Sequence, residues 1–198
     1  MRQRLLDATI DCLVEYGYAG TTTTKVADRA GVTRGAQVHH FPTKTDLVVS
    51  AIKYLAAKRT EMAFGELDRL RESPNPIGDA LDLMWEMHQG PVFSATVELW
   101  VASRTDPELR RHMSATEPIA TGSLVEFGKV LLPDHAAHPE FLHAVYTAMD
   151  VVRGILIASW ATRDRAELDA RWARGRRHLQ ILFECLMREA NVPAPLPG

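Results

Sequence analysis

The stretch from Thr21 to Lys44, TTTTKVADRAGVTRGAQVHHFPTK, constrains the chain more than any other. It reads as two short helices joined by a tight turn. The spacing predicts a first helix over Thr22–Ala30, a turn at Ala30-Gly31-Val32 and a second helix over Thr33–His40. A threonine at a helix start accepts a hydrogen bond from an otherwise orphan backbone N–H, which favours Thr22 and Thr33 as N-caps. Val26, Ala27 and Ala30 recur on one helical face. Gly31 follows the last of them and can take the left-handed conformation that ends a helix. Ala36 and His40 are expected to continue the inward face. Two capped helices around a short glycine turn form a helix-turn-helix, which lays its second helix in the major groove of DNA.

The run VADRAGVTRGAQVHHFPTKTDL resembles the DNA-binding domain of the TetR family of bacterial repressors, whose usual pattern reads roughly IAERAGVSRGALYHHFPSKEEL. The likeness extends upstream through LLDATIDCLVEYGYAGTT and so covers the first quarter of the chain. Spacing, glycine turn, HHFP and the following lysine all coincide. Three positions depart from the pattern. Gln37 stands where the family usually has leucine, Val38 where it has a phosphate-contacting tyrosine, and Lys25 where it often has an acid.

Side-chain chemistry then assigns contacts. Thr22, Lys25 and Thr33 are expected at phosphates. Arg34 and Gln37 are expected to read bases, because arginine suits guanine O6/N7 and glutamine suits adenine N6/N7. Gly35 admits close approach of the helix backbone, Val38 offers an apolar contact for a thymine methyl, and His39 points outward. His40 and Phe41 are expected to pack inward. Thr43 and Asp46 read as a capping box opening the next helix, with Lys44 in its first turn as a clamp on the DNA backbone. Arg2 and Arg4 precede the first apolar face, where DNA and solvent are equally plausible neighbours.

With 198 residues, 46% hydrophobic and 24% charged, the composition excludes a disordered chain and provides for a core. Residues 1–60 hold nine Lys and Arg against five Asp and Glu, whereas the remainder holds fourteen against twenty. A basic head on an acidic body fits a phosphate-binding module joined to something else. Cys12 and Cys185 lie far apart in helical patterns and read as free thiols in a reducing cytoplasm. Asp7 and Asp11 interrupt what would be a signal core, and no apolar run approaches ~18 residues. Neither export nor a membrane span is therefore expected.

Helical periodicity continues throughout, with no strand alternation and no internal repeat. The expected fold is all-α with about nine helices. They cover Arg2–Tyr16, the two helices of the motif, a long helix from Thr43 to about Glu72, Ile77–Gln89, Val92–Arg104, a helix from Pro107 that Pro118 must kink or interrupt, Pro139–Thr162 and Ala166–Ala190. The expected domains are a DNA-binding head over 1–46, a ligand-binding and dimerisation body over 47–190 and a disordered tail over 191–198.

The resemblance implies a ligand pocket in the body and a four-helix interface made by the two C-terminal helices with their symmetry mates. Trp85, His88, Phe93, Trp100, Met113, Phe127, Tyr146 and Asp150 are the candidate ligand residues, the last two from a polar stripe on the Pro139–Thr162 helix. Met149, Val152, Leu156, Leu179, Leu182, Phe183 and Leu186 are the candidate interface. The expected function is a ligand-responsive transcriptional regulator, a repressor that binds a palindromic operator in double-stranded DNA as a homodimer and is released by a small hydrophobic effector. An alternative keeps the DNA head but answers to a protein partner or a metal, with His135, His138 and His143 as the histidines closest together. No nucleotide loop, nucleophile elbow or telling carboxylate pair occurs, so neither an enzyme nor a cofactor is expected.

Overall fold

The computed structural model describes residues 1–162 and 164–190; the tail 191–198, expected to be disordered, lies outside the described residues. Among the described residues every regular element is a helix. In chain order these are α1 (Arg2–Gly20), α2 (Thr23–Ala30), α3 (Arg34–His40), α4 (Lys44–Gly65), α5 (Leu67–Arg71), α6 (Pro76–His88), α7 (Pro91–Ala102), α8 (Pro107–Leu131), α9 (Pro133–Ala136), α10 (Phe141–Ser159) and α11 (Arg165–Ala190).

They pack as two compact units. One comprises Met1–Arg59 with Gln89–Ala120, and the other Thr60–His88 with the chain from Thr121 onward. These packing units differ from the functional division expected at residue 46, because Leu47, Val48 and Val49 of α4 are buried in the same unit as the motif.

In the first unit α1 lies against α2 and α7, and α2 against α3. Leu5, Leu6, Cys12, Val26, Phe41 and Leu47 form one cluster. Leu13, Val48, Ala95, Leu99, Leu109 and Met113 form a second. Burial of the Cys12 thiol pushes its pKa up, so it is a packing group and not a reactive one. Gly17 breaks α1 at φ 66°, ψ −178°. That conformation belongs to glycine, and a Cβ there would meet Glu98 Oε2 at 2.8 Å. The same carboxylate accepts from the Tyr18 N–H and so ties α7 to the end of α1.

In the second unit α10 packs on α11 and α6, and α11 packs on α6. Trp85 of α6 and Trp172 of α11 stack face to face, with centroids 4.6 Å apart and planes 5° from parallel. Trp172 Nε1 donates to Asp82 Oδ1 at 3.1 Å, and Arg176 Nε donates to both Asp82 oxygens at 2.8 Å. The seam between α6 and α11 is thus an aromatic stack bordered by an ion pair.

Three expectations about the helices change. The long helix ends at Gly65, not Glu72; the Glu66 N–H turns back to the Ala63 carbonyl before α5 begins, and glycine is the weakest ordinary helix former. α8 continues as one helix through Pro118 to Leu131, so the proline does not interrupt it. A proline removes one N–H, and buried Leu109, Met113, Val125 and Phe127 anchor the helix on both sides of it. α10 is long and apolar enough to cross a membrane by length and composition, contrary to the expectation of no such segment. Here it packs as a core helix, with Ala144, Val145, Ala148, Met149, Val152 and Leu156 buried.

α9 carries a titratable group that the packing controls. His135 is buried, and its Nε2 has no hydrogen-bond partner. Burial holds the imidazole below its ordinary value of 6.5, outweighing the opposing pull of Asp134. The unfolded chain therefore takes up the proton first. The contribution is complete above the ordinary histidine range and is lost as pH falls through 6.5 towards the lower folded value. The urea midpoint should drop over that window, and His135→Leu should flatten the drop. An unchanged pH slope in the variant would show that His135 is not its source.

Candidate nucleic-acid interface and ligand cavity

Local chemistry builds the head. Thr22 Oγ1 accepts from the Lys25 N–H at 3.2 Å and opens α2. Gly31, at φ 61°, ψ 45°, closes it in the left-handed region. Thr33 Oγ1 accepts from the Ala36 N–H at 3.2 Å and opens α3. Asp46 N–H donates to Thr43 Oγ1 at 3.0 Å and Thr43 N–H to Asp46 Oδ2 at 3.3 Å, a reciprocal capping box at the start of α4. Buried Val26, Ala27, Ala30 and Phe41 fix the two helices against each other.

This leaves Arg34, Gly35, Val38 and His39 exposed on α3. Nothing in the protein requires a glycine at position 35: a Cβ there would meet only Thr33 Oγ1, at 4.0 Å. The space beside it is open to an approaching partner.

Other basic groups brace the head. Arg4 donates to the Ala30 carbonyl, joining α1 to the turn, and the Arg2 guanidinium lies 5.3 Å from the Phe41 ring centroid. Arg29 pairs with Glu15 and donates to Tyr16 Oη at 3.3 Å. Lys25 Nζ donates to the Gly20 carbonyl at 2.9 Å and sits 4.0 Å above the Tyr16 ring. Lys44 Nζ donates to the Tyr18 carbonyl at 2.6 Å and sits 4.2 Å from the Tyr18 ring centroid. Partial burial pulls the Lys44 pKa below the usual lysine value.

The second unit holds an apolar cavity of about 40 Å³. Its wall is shared by Ala63 of α4, Met84 and Met87 of α6, Phe127 of α8, Phe141 of α10 and Phe183 of α11, among others. Phe64 meets Phe127 edge-on at 5.6 Å, and Phe141 meets Phe183 edge-on at 6.1 Å.

The model of bacterial regulatory proteins of the tetR family matches residues 5–51, which span α1, α2, α3 and the start of α4. The HTH-type transcriptional regulator CymR of Pseudomonas putida is 32% identical over 174 residues, covering 84% of this chain and 82% of the relative. The chain belongs to the TetR family. It is a DNA-binding transcriptional regulator with a helix-turn-helix, and not an enzyme. Solved structures of this shape include FadR of Bacillus subtilis in complex with stearoyl-CoA, with a TM-score of 0.68, 16% identity and coverage of 90% and 97% of the two chains. The multidrug binding protein EbrR complexed with ethidium has a TM-score of 0.63, 22% identity and coverage of 93% and 96%.

Against this TetR-family frame the candidate residues sort unevenly. Arg34, Gly35, Val38 and His39 are outward on the second helix of the motif, α3, while Thr22 caps α2 and Thr33 caps α3. Gln37 is not a base reader. It is 1% exposed, and its Nε2 donates to the Phe41 carbonyl at 2.7 Å. At the fourth position of α3 its side chain turns under the helix and satisfies a backbone group that the C-terminus leaves orphaned. Gln37→Met should leave base preference unchanged and cost about 1 kcal/mol of stability, the ordinary worth of one such hydrogen bond. Altered preference in bound-sequence selection would restore it as a reader. The expected inward turn of His40 is only partial, since it is half-buried while Phe41 is fully so.

The ligand candidates do not converge. Of the eight, only Phe127 lines the cavity. Trp85 is held in the stack with Trp172, and His88 Nδ1 lies 2.8 Å from the Met84 carbonyl. Phe93, Trp100 and Met113 belong to the first unit, where Phe93 and Trp100 meet edge-on at 6.3 Å. Tyr146 and Asp150 are exposed on α10. Aromatic content pointed to these residues, but the wall is mainly aliphatic. Ala80, Leu83, Met84 and Met87 recur along α6 at one-face helical spacing, and that period was the signal available.

The interface candidates turn mostly inward within the chain. Met149, Val152, Leu156, Leu179, Phe183 and Leu186 are buried within the chain itself, and Leu182 is half-buried. The six buried residues hold α10 and α11 in the protomer, whereas Leu182 keeps part of its side chain exposed. Among the described residues no group of three or more His, Cys, Asp or Glu is arranged to hold a metal ion, and His135, His138 and His143 form no such group.

Proposed function

We propose that this regulator is a homodimeric repressor that reads a near-palindromic operator and is released by a small apolar effector. The outward set of Arg34, Gly35, Val38 and His39 on a capped and braced α3 is the observation that carries the reading. Residues 1–46 act as the reading head. Arg34 takes a guanine edge, and Thr22, Lys25, Thr33 and Lys44 lie towards phosphates, the two lysines also tethering the head internally.

The dimer uses outward residues of the last two helices. Tyr146 and Ile157 of α10 and Ile181 of α11 are exposed at 40%, 39% and 49%. A Cβ at Gly154 would meet nothing within 4 Å, so nothing in the protomer demands glycine there. With Ala158 four residues on, it lines an open groove shared with Ala170 and Arg174 of α11, into which a partner helix can close.

The effector occupies the apolar cavity, and its influence passes along α4, which carries Ala63 on the cavity wall and begins at Lys44. The complexes of FadR with stearoyl-CoA and EbrR with ethidium are precedents on this fold for a bound organic molecule.

Selection of bound sequences from a random DNA pool tests the reading. The expected product is an inverted repeat whose half-sites lie one helical turn, about 34–36 Å, or a multiple apart. Recovery of no enriched sequence, or of a single unrepeated site, would overturn it.

A further inference from the structure

We propose that the cavity of the second unit takes a small neutral hydrocarbon, with no charge and no hydrogen-bonding group. This names the chemistry of the effector site and rests on the ligand-responsive reading above. Every lining residue is glycine, alanine, valine, leucine, isoleucine, methionine or phenylalanine. Among the described residues no side-chain hydroxyl, amide, carboxylate, imidazole or guanidinium belongs to the wall. A carboxylate or ammonium entering it would lose its hydration with nothing to replace it, and a hydroxyl or amide would lose its water partners.

Asp82 of α6 is held by Trp172 and Arg176, and Arg176 also donates to Gln180. The buried Nε2 of His135, without a partner, is not in the lining.

Size narrows the class further. A cavity of about 40 Å³ is well below the ~150 Å³ of an engineered apolar site that holds benzene. A ring-sized guest must open the wall. Met84 and Met87 suit that task, since unbranched thioether chains reshape at low cost. Gly128 limits it: the Phe141 ring lies where a Cβ at 128 would come within 3.1 Å of Cζ, so this corner is already full. The guest is accommodated by the methionine side of the cavity, and the opening displaces α6.

The test titrates the full-length protein with toluene, benzoate and benzylamine at pH 8, where the acid stays ionised. Toluene should raise the melting temperature with concentration, as mass action requires, and should bind with a negative heat-capacity change. Benzoate and benzylamine should bind at least about tenfold more weakly, because only their charged group differs in kind. Ala80→Leu and Leu124→Phe each fill the cavity at a half-buried wall position, and either folded variant should lose toluene binding by a similar factor. Toluene binding unchanged in a folded variant would overturn the location. Benzoate or benzylamine binding as well as toluene would overturn the chemistry. Release from the selected operator, read in parallel, separates the two readings. Toluene that binds without releasing DNA overturns the ligand-responsive function and leaves the cavity chemistry standing. A charged ligand that releases DNA where toluene does not overturns the present inference alone.

Discussion

Trp172→Ala should destabilise the second unit by about 3–5 kcal/mol, the usual cost of emptying a buried tryptophan site. Trp172 is 8% exposed. Its ring lies flat on Trp85 at 4.6 Å, and its Nε1 donates to Asp82. Truncation removes the stack and a hydrogen bond to a charged acceptor, and it opens the α6–α11 seam. Stabilities of whole domains are only about 5–15 kcal/mol, so the loss is a large share of the total. Trp172→Phe keeps a ring against Trp85 and loses the donor, so it should cost far less. Urea denaturation followed by circular dichroism checks both. Equal losses would mean that the hydrogen bond to Asp82, and not the stack, holds the seam.

Arg34→Ala should weaken operator binding by about 1–3 kcal/mol per half-site and relax preference at one base pair in each. Arg34 is exposed at the first position of α3, and no protein acceptor competes for it among the described contacts. Lys44→Ala is the contrasting variant. Its ammonium is tied to the Tyr18 carbonyl and ring, so its loss should weaken all sequences alike and lower the stability of the head as well. Selection profiles and affinities across a salt series distinguish the two. If Arg34→Ala reduced affinity uniformly, with its sequence profile intact, Arg34 would be a phosphate contact.

The head was largely legible because its determinants are local. A threonine three residues before the N–H that donates to it, a glycine in the left-handed region and a reciprocal Thr43–Asp46 pair all act within one turn. Gln37 was misread because polarity was taken as exposure. Its partner, the Phe41 carbonyl, is one helical turn away, yet only the three-dimensional packing shows that the side chain lies underneath. The body was legible in helix type and not in role. Apolar periodicity identifies a buried face without saying whether the same chain or a second copy covers it. Met149, Val152 and Leu156 turned out to be covered by their own protomer. At Pro118 local propensity allowed for an interruption, and tertiary anchoring carries the helix through it.

The inward turn of Gln37 has a consequence for how the regulator finds its place in a genome. A recognition helix of seven residues that spends its fourth on its own backbone retains few groups for base edges. One arginine per half-site discriminates by about 1–3 kcal/mol. Separating a specific site from the ~10⁶–10⁹ competing ones requires roughly 4–10 kcal/mol. On the proposed dimer, two arginines reach only the lower part of that range. The remainder of the address must then be written in groove width and in the ease with which particular base steps bend. Operators of this regulator should therefore tolerate many substitutions at contacted positions while responding to changes in stiff or flexible tracts that no side chain touches.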